Sequence, residues 1–483
     1  MPRTRRLWSL LGFVLICAPF LPAQILTTLV SFDYTNGQEP ESPLIQGLDG
    51  NLYGTYLLGG PEGVGGVFRL TPQGVLTQAS NFCGGSDSCA GSREWGIMQT
   101  RDGTFYGTSE EGGTRAGNMF TMTPQLVGAD FADFGDKGGQ NPLSAPILGT
   151  DGNFWGVGEA GTKNNTPNCD LGCGSIYKVT PEGAVSTEYA FCAQPNCADG
   201  WSPVGSLLQA SDGNFYGTTN AGGATTGCLF SEGCGTVFKM TPQKVFTTLF
   251  TFSGTGSDGG NVWDVALIEG TDGALYGATS AGGLYGGGTV FKITTAGVFT
   301  TLYNFCALAN CADGSGPLGG LIQASDGNFY GTTSVNGANG GGTIYRITPT
   351  GTFTSLYNFC SLAGCADGSY PPSALFQATD GRIYGATYDG GTAGSGTVFR
   401  LNLGLAAFVA PLPGFGKPGQ TVSILGNGLK HTTSVTFSGI TARFSATSNS
   451  SINAIVPSGA TSGPIVVTTS TGTFTSKSFQ VLP

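Results

Sequence analysis

Histidine is nearly missing from this chain: among 483 residues only His431 carries an imidazole. That takes a histidine general base, a serine or cysteine triad and a histidine-rich metal site away from almost the whole sequence. Charge is scarce as well, at 10% of residues against about 25% in an ordinary domain. The net charge is −10, which argues against nucleic acid and anionic membrane partners. Neither a G-x-S-x-G elbow nor an H-E-x-x-H pair is present. Past the N-terminus no run approaches 18 apolar residues, so no membrane span is expected once that segment is removed.

The N-terminus itself reads MPRTRRLWSLLGFVLICAPFLPAQ. Arg3, Arg5 and Arg6 precede an apolar run that starts at Leu7, and small Ala23 sits near a plausible cut. This pattern predicts a secretory signal peptide over residues 1–24 and a mature protein that is secreted, periplasmic or held at the cell surface. Cys17 follows Ile16 rather than the small residue a lipid-attachment signal wants, so no lipid anchor is expected.

What the chain has in plenty is glycine, 83 residues, with 25 prolines and 11% aromatics, the balance of a folded, turn-rich protein. It also has thirteen cysteines. Without Cys17 the remaining twelve form six local pairs: Cys83 with Cys89, Cys169 with Cys173, Cys192 with Cys197, Cys228 with Cys234, Cys306 with Cys311 and Cys360 with Cys365. An even count in an exported chain predicts disulfides. Zinc would need converging CxxC pairs or histidines, and the one histidine lies far from all of them.

One hexapeptide recurs seven times, as DGNLYG at Asp49, DGTFYG at Asp102, DGNFWG at Asp151, DGNFYG at Asp212, DGALYG at Asp272, DGNFYG at Asp326 and DGRIYG at Asp380. The copies stand 49–61 residues apart. Around each marker lie four strand-like runs: in the sixth copy GGLIQAS, NFYGTTS, GTIYRIT and TFTSLYNF, with Asp-Gly and Pro-Thr-Gly turns between. Four antiparallel strands in about 50 residues describe a propeller blade, whereas a parallel β-helix has much shorter repeats. The last unit stops after its third strand at residues 396–403, and residues 25–32 carry an orphan fourth-strand pattern. The expectation is an all-β protein: a seven-bladed β-propeller over residues 25–403, closed by its N-terminal strand. These units resemble the GloVer tandem repeat of exported, choice-of-anchor type proteins, a resemblance that brings no activity with it; the strand order is more weakly similar to NHL-type propellers.

After a linker at 404–409 the marker disappears, and short Thr/Ser/Val/Ile strands alternate with glycine turns. Gly426-Asn427-Gly428, Val435-Thr436-Phe437, Ile455-Val456-Pro457, Ser462-Gly463 and Phe479-Gln480-Val481 make residues 410–483 similar to the IPT/TIG immunoglobulin-like domain, which implies a β-sandwich spacer or interaction module.

In such a blade the tight Asp-Gly and Thr-Pro-x-Gly turns share one face, and the long variable loops and inter-blade links share the other. All six cysteine pairs fall on that second face, where each bond would stabilise its Gly-rich loop by about 2 kcal/mol on the chain-entropy estimate. Loops held by a rigid scaffold are where binding resides, so this is the candidate functional face. Here Asp199, Asp313 and Asp367 hold equivalent positions, with Asp258 between them. They would suit a hard cation such as calcium, the one cofactor the sequence leaves open. The simpler account is a turn leading into the first strand, because Asn36, Ala90 and Gly138 hold the place in other units. Trp201, Trp263 and Tyr370, with Trp95, would stack on sugar rings or pack between blades. The marker aromatics Tyr53, Tyr106, Trp155, Tyr216, Tyr276, Tyr330 and Tyr384 are expected in the core. Gln46, Gln99, Gln209, Gln323 and Gln377 recur on the innermost strand, where hydrogen bonding within the blade is a better account than a channel lining.

The sequence thus reads as a non-catalytic, monomeric exported recognition or scaffold protein for an extracellular polysaccharide or protein. A polysaccharide lyase or hydrolase is the alternative, but its general acid and base would have to come from scattered acids such as Glu110, Glu111, Asp264 and Glu269. A calcium-stabilised surface protein is a third reading.

Overall fold

The repeated hexapeptide builds the same small machine in six of its seven copies. In the first copy Gly50 takes a positive φ of 84°, closing the turn, while the Asp49 carboxylate accepts from the Asn51 N–H at 3.1 Å and from the Tyr53 hydroxyl at 2.9 Å. Tyr216, Tyr276, Tyr330 and Tyr384 bond their own aspartates in the same way, and Trp155 does so through its indole N–H. The final glycine has a different reason. A Cβ on Gly54 would meet the Phe68 ring at 2.6 Å, and one on Gly385 would meet Phe399 at 2.5 Å. The tip of a ring on the third strand therefore reaches over the second, and only glycine leaves room for it.

The protein is described by a computed structural model covering residues 25–61, 63–78, 92–111, 116–135, 139–161, 172–223, 233–254, 256–263 and 266–483. These residues are almost wholly β. Up to residue 402 they form seven four-stranded antiparallel sheets in sequence order, an arrangement of propeller-like type. The first comprises Ile45–Gln46, Leu52–Tyr56, Gly66–Leu70 and Leu76–Gln78. The seventh takes Phe376–Gln377, Ile383–Thr387 and Thr397–Asn402 from the end of the repeats and Ile25–Ser31 from the N-terminus, in register from Ile25↔Asn402 to Ser31↔Thr397.

Between sheets the marker aromatics stack on the next unit: Tyr53 on Phe105, Tyr106 on Phe154, Trp155 on Phe215 and Tyr276 on Phe329, with ring centroids 4.0–4.3 Å apart. All the marker aromatics are buried except Tyr106, which is only partly covered.

The recurrent glutamines do more than expected. Each donates to a glycine carbonyl in its own Asp-Gly turn, as Gln99 does to Gly103, but its side-chain oxygen accepts from a backbone N–H in the preceding sheet. Leu48 bonds Gln99, Thr150 bonds Gln209, Thr271 bonds Gln323 and Ser325 bonds Gln377, at 2.8–3.0 Å. Glu269 plays the part in the fifth sheet, accepting from Ser211. Gln46 of the first sheet accepts from Thr379 of the seventh. The correction is that these amides tie sheets together as well as bracing their own turns. The third sheet has Leu148 at this position.

Residues 410–483 form two further sheets of four and five strands. Val422, Ile424 and Ile452 of one meet Val435, Phe437, Ile465, Val467 and Phe479 of the other in one core. Val409 belongs to that core, and 404–409 is pinned down: the Phe408 N–H donates to Thr379 and the Ser325 hydroxyl to Ala406.

This C-terminal unit rests on the Asp-Gly turns. Arg101 donates to the Thr421 carbonyl and accepts from the Ser423 hydroxyl; Ser450 donates to Leu48, Asn427 to Thr379 and Gln480 to Ser211. Arg101 precedes Asp102 in the second sheet, so the clamp falls beside the junction where Leu148 replaces a glutamine.

Candidate functional site

Since the turn face carries the C-terminal unit, the face of loops and links is the one left open. Its stapled links follow one plan. Cys306 is disulfide-bonded to Cys311, Cys360 to Cys365, and Cys192 to Cys197. All six take positive φ, between 51° and 62°, a backbone state that non-glycine residues rarely hold without outside restraint. One staple differs from the expectation of a bond displayed on the open face. Cys192 and Cys197 are both buried, and they pack with Phe191, Leu207 and Phe215 in the apolar core between the third and fourth sheets. Cys173 and Cys234 are disulfide-bonded too, while their expected partners Cys169 and Cys228 lie outside the described residues. Cys83 and Cys89, expected to bond each other, also lie outside the described residues, so that sixth link stays an expectation.

The aspartates after these cysteines face inward. Asp313 is fully buried, and its carboxylate accepts from the Tyr303 hydroxyl at 2.8 Å and from the Ala307 and Leu308 N–H groups at 3.0 and 3.2 Å. Asp199 does the same with Tyr189, Ala193 and Gln194, and Asp367 with Tyr357, Ser361 and Leu362. Half-buried Asp258 accepts from the Ser253 N–H and hydroxyl. As candidate ligand groups the first three are therefore spent on holding their own loops. Among the described residues no three His, Cys, Asp or Glu side chains gather as a metal site. The clue that sequence reading missed is a tyrosine ten residues before each of the three aspartates.

The consequence of this bracing is what stands outside it. Leu308 and Leu362, inside the stapled loops, are 51% and 55% exposed. Trp263 is 45% and Tyr285 57% exposed on the same face, joined by Tyr34 and Leu284. Trp201 is half-buried against the core of the fourth sheet, and Tyr370 packs edge-on to Tyr388 at 5.8 Å. Asp264, and the side chains of Trp95 and Glu111, lie outside the described set.

Nearer the axis, a second pattern repeats. Glu39, Asn141, Ser202, Asn261 and Tyr370 all have φ of 53–58°, and Gly316 holds the place in the sixth unit at 63°. Each sits a few residues before a segment lining an axial cavity of about 210 Å³, walled by Glu41, Ser42, Ser144, Gly205, Gly319 and Ser373 among others. Each except Ser202 accepts from a backbone N–H just beyond the second strand of its own sheet, as from Glu159 to Asn141 and from Tyr388 to Tyr370. Glycine would hold this backbone without strain, yet five units keep a side chain there. Acids gather around it. Glu159 accepts from the Ser202 hydroxyl at 3.2 Å, and burial, with nearby Glu110, lifts its pKa. Burial likewise raises Asp389, and Tyr388 is raised by burial and by donating to Glu39.

Comparison with known proteins adds a family. No curated protein matches. Among solved structures the chain is similar to an extracellular domain assigned to a hybrid two-component system of B. thetaiotaomicron, at 12% identity and TM-score 0.49, covering 91% of this chain and 52% of that one. A puromycin-hydrolyzing peptidase of Mycobacterium tuberculosis follows at 12% and 0.46, covering 84% and 62%. A gluconolactonase of Xanthomonas campestris stands at 12% and 0.38, covering 79% and 90%. At such scores these likenesses carry no argument about activity. The sequence-family match is of another order: overlapping copies span residues 19–168, 87–232, 168–399 and 226–453, and the chain belongs to the Gloeobacter/Verrucomicrobia repeat family.

Proposed function

We propose that the protein is an exported, non-catalytic recognition module whose disulfide-stapled face binds an extracellular macromolecule. In this reading the seven sheets are blades of one closed propeller, the N-terminal residues are its signal peptide, and residues 410–483 are an IPT/TIG immunoglobulin-like domain. The Gln46–Thr379 link between first and last sheets supports closure. Disulfides support an extracytoplasmic setting.

The observation that carries the reading is the placement of Leu308 and Leu362 in water on disulfide-stapled loops, with Trp263 and Tyr285 exposed beside them on the same face. Displaying apolar side chains on a braced scaffold costs solubility, and binding is what offsets it. Leucines offer neither hydrogen bonds nor a flat ring to a sugar, so a protein surface fits this patch better than a polysaccharide does. Of the candidate ligand residues, Trp263 and Tyr370 stay in the proposal.

The test is a parallel screen of mature protein against a glycan array and a displayed protein library from the extracellular space. Binding to a protein that Leu308→Ser with Leu362→Ser weakens at least tenfold supports the proposal. Binding confined to glycans and lost in Trp263→Ala moves the ligand class to carbohydrate. A second reading is favoured by one observation, the raised carboxyl of Glu159, which would suit a general acid. Turnover of any polysaccharide that disappears in Glu159→Gln would replace recognition with catalysis.

A further inference from the structure

Below the axial cavity, toward the C-terminal unit, lies a larger chamber of about 520 Å³, sharing Ile45 and Ile97 with it. This lies within the roughly 300–1,000 Å³ of small-molecule sites. Its upper wall is apolar, with Met98, Ile322 and Phe376 beside the two isoleucines, and Phe408, Val409, Leu412 and Leu425 close it from below. Four of the inter-sheet glutamines reach it, but their oxygens are already occupied by backbone N–H groups.

One charged residue lines the chamber, Lys477. Its ammonium donates to the Gln323 carbonyl, and no carboxylate pairs with it among the described residues. Lys477 is an exposed residue, so water reaches it, while the protein packed against its ammonium lowers its pKa below the usual lysine range. The same lysine also lines a smaller pocket of about 270 Å³ with Thr271, Ser325 and Ser476. It therefore stands between the two cavities.

An ammonium with no carboxylate partner among the described residues and two hydrogens to spare, at the lip of an apolar-walled chamber, suits an anion attached to a hydrocarbon. We propose that this chamber binds a small apolar carboxylate, its head group paired with Lys477 and its tail among Ile45, Ile97, Met98, Ile322 and Phe376. The site is separate from the stapled face and does not depend on what that face recognises.

The probe is decanoate, titrated calorimetrically into the full mature chain, with decanol as the neutral match. Saturable one-to-one binding of decanoate, at least tenfold weaker for decanol, is expected. Lys477→Met should lose at least tenfold in affinity and Lys477→Arg should keep most of it. Because Lys477 is exposed and has no carboxylate partner among the described residues, its replacement should leave melting nearly unchanged; if Lys477→Met does not fold, Lys477→Gln takes its place. Failure of decanoate to bind, equal binding of decanol, or unchanged affinity in Lys477→Met or Lys477→Gln would overturn the proposal.

Discussion

The side-chain oxygen of Gln46 accepts a hydrogen bond at 3.0 Å from the N–H of Thr379, a residue 333 positions further along the chain. First and last sheets are joined by this contact, while Ile25–Ser31, which precedes the first sheet in the chain, pairs with Thr397–Asn402 inside the seventh. Gln46→Ala leaves the Thr379 N–H without its partner and should cost about 1–3 kcal/mol. Urea denaturation is the measurement; an unchanged midpoint would mean the contact adds nothing to holding the two sheets together.

Gly385→Ala tests why the marker ends in glycine. The new Cβ would meet Phe399 at 2.5 Å and Leu375 at 2.9 Å, an overpacking that costs about 1–3 kcal/mol. Gly472→Ala, where nothing lies within 4 Å, should stay within about 0.5 kcal/mol of wild type. Equal melting temperatures for the two variants would remove the steric explanation.

Non-reducing peptide mapping should find Cys306 linked to Cys311, Cys360 to Cys365 and Cys83 to Cys89. Reduction should cost about 2 kcal/mol per loop by the chain-entropy estimate, and proteolysis near Leu308 and Leu362 should speed up. The bond from Cys192 to Cys197, being buried, should be the slowest of the local staples to reduce in the folded protein. Links between different loops would contradict the plan of local staples.

Acid should loosen the same loops. Burial pushes the Asp367 carboxyl up, but donors from Tyr357, Ser361 and Leu362 outweigh it and hold its pKa below the usual carboxylate value. A depressed folded-state pKa contributes stability that is complete above the unfolded value, about 3.9, and is lost as pH falls through the folded one. Melting temperature should therefore fall below about pH 4, and Asp367→Asn should be less stable at neutral pH with a flatter acid limb. Parallel acid limbs for the two proteins would assign the loss to other carboxylates.

Much of this architecture could be read from the chain because each repeat states it again. Asp-Gly fixes a turn, the following aromatic fixes a core position, and paired cysteines fix a loop. The inward aim of Asp199, Asp313 and Asp367 was harder to see, since their donors Tyr189, Tyr303 and Tyr357 lie across a loop rather than beside them. The positive φ of Glu39, Asn141, Ser202 and Tyr370 runs against local preference, because each precedes a proline and such residues favour extended backbone. Only tertiary hydrogen bonds impose it. The seat of the C-terminal unit was not legible either: it depends on single contacts such as Arg101 with Thr421, separated by 320 residues.

The pairing of Ile25–Ser31 with Thr397–Asn402 also sets an order of events during synthesis. Ile25–Ser31 leaves the ribosome long before its neighbour, and it must wait while more than 360 residues follow. Through that interval the nascent chain carries an unsatisfied β-edge, open to wrong partners. Thr27, Thr28 and Ser31 make that waiting edge more polar than a buried strand would be. Chaperone dependence should accordingly end abruptly when the seventh repeat is complete, rather than decline as each repeat is added.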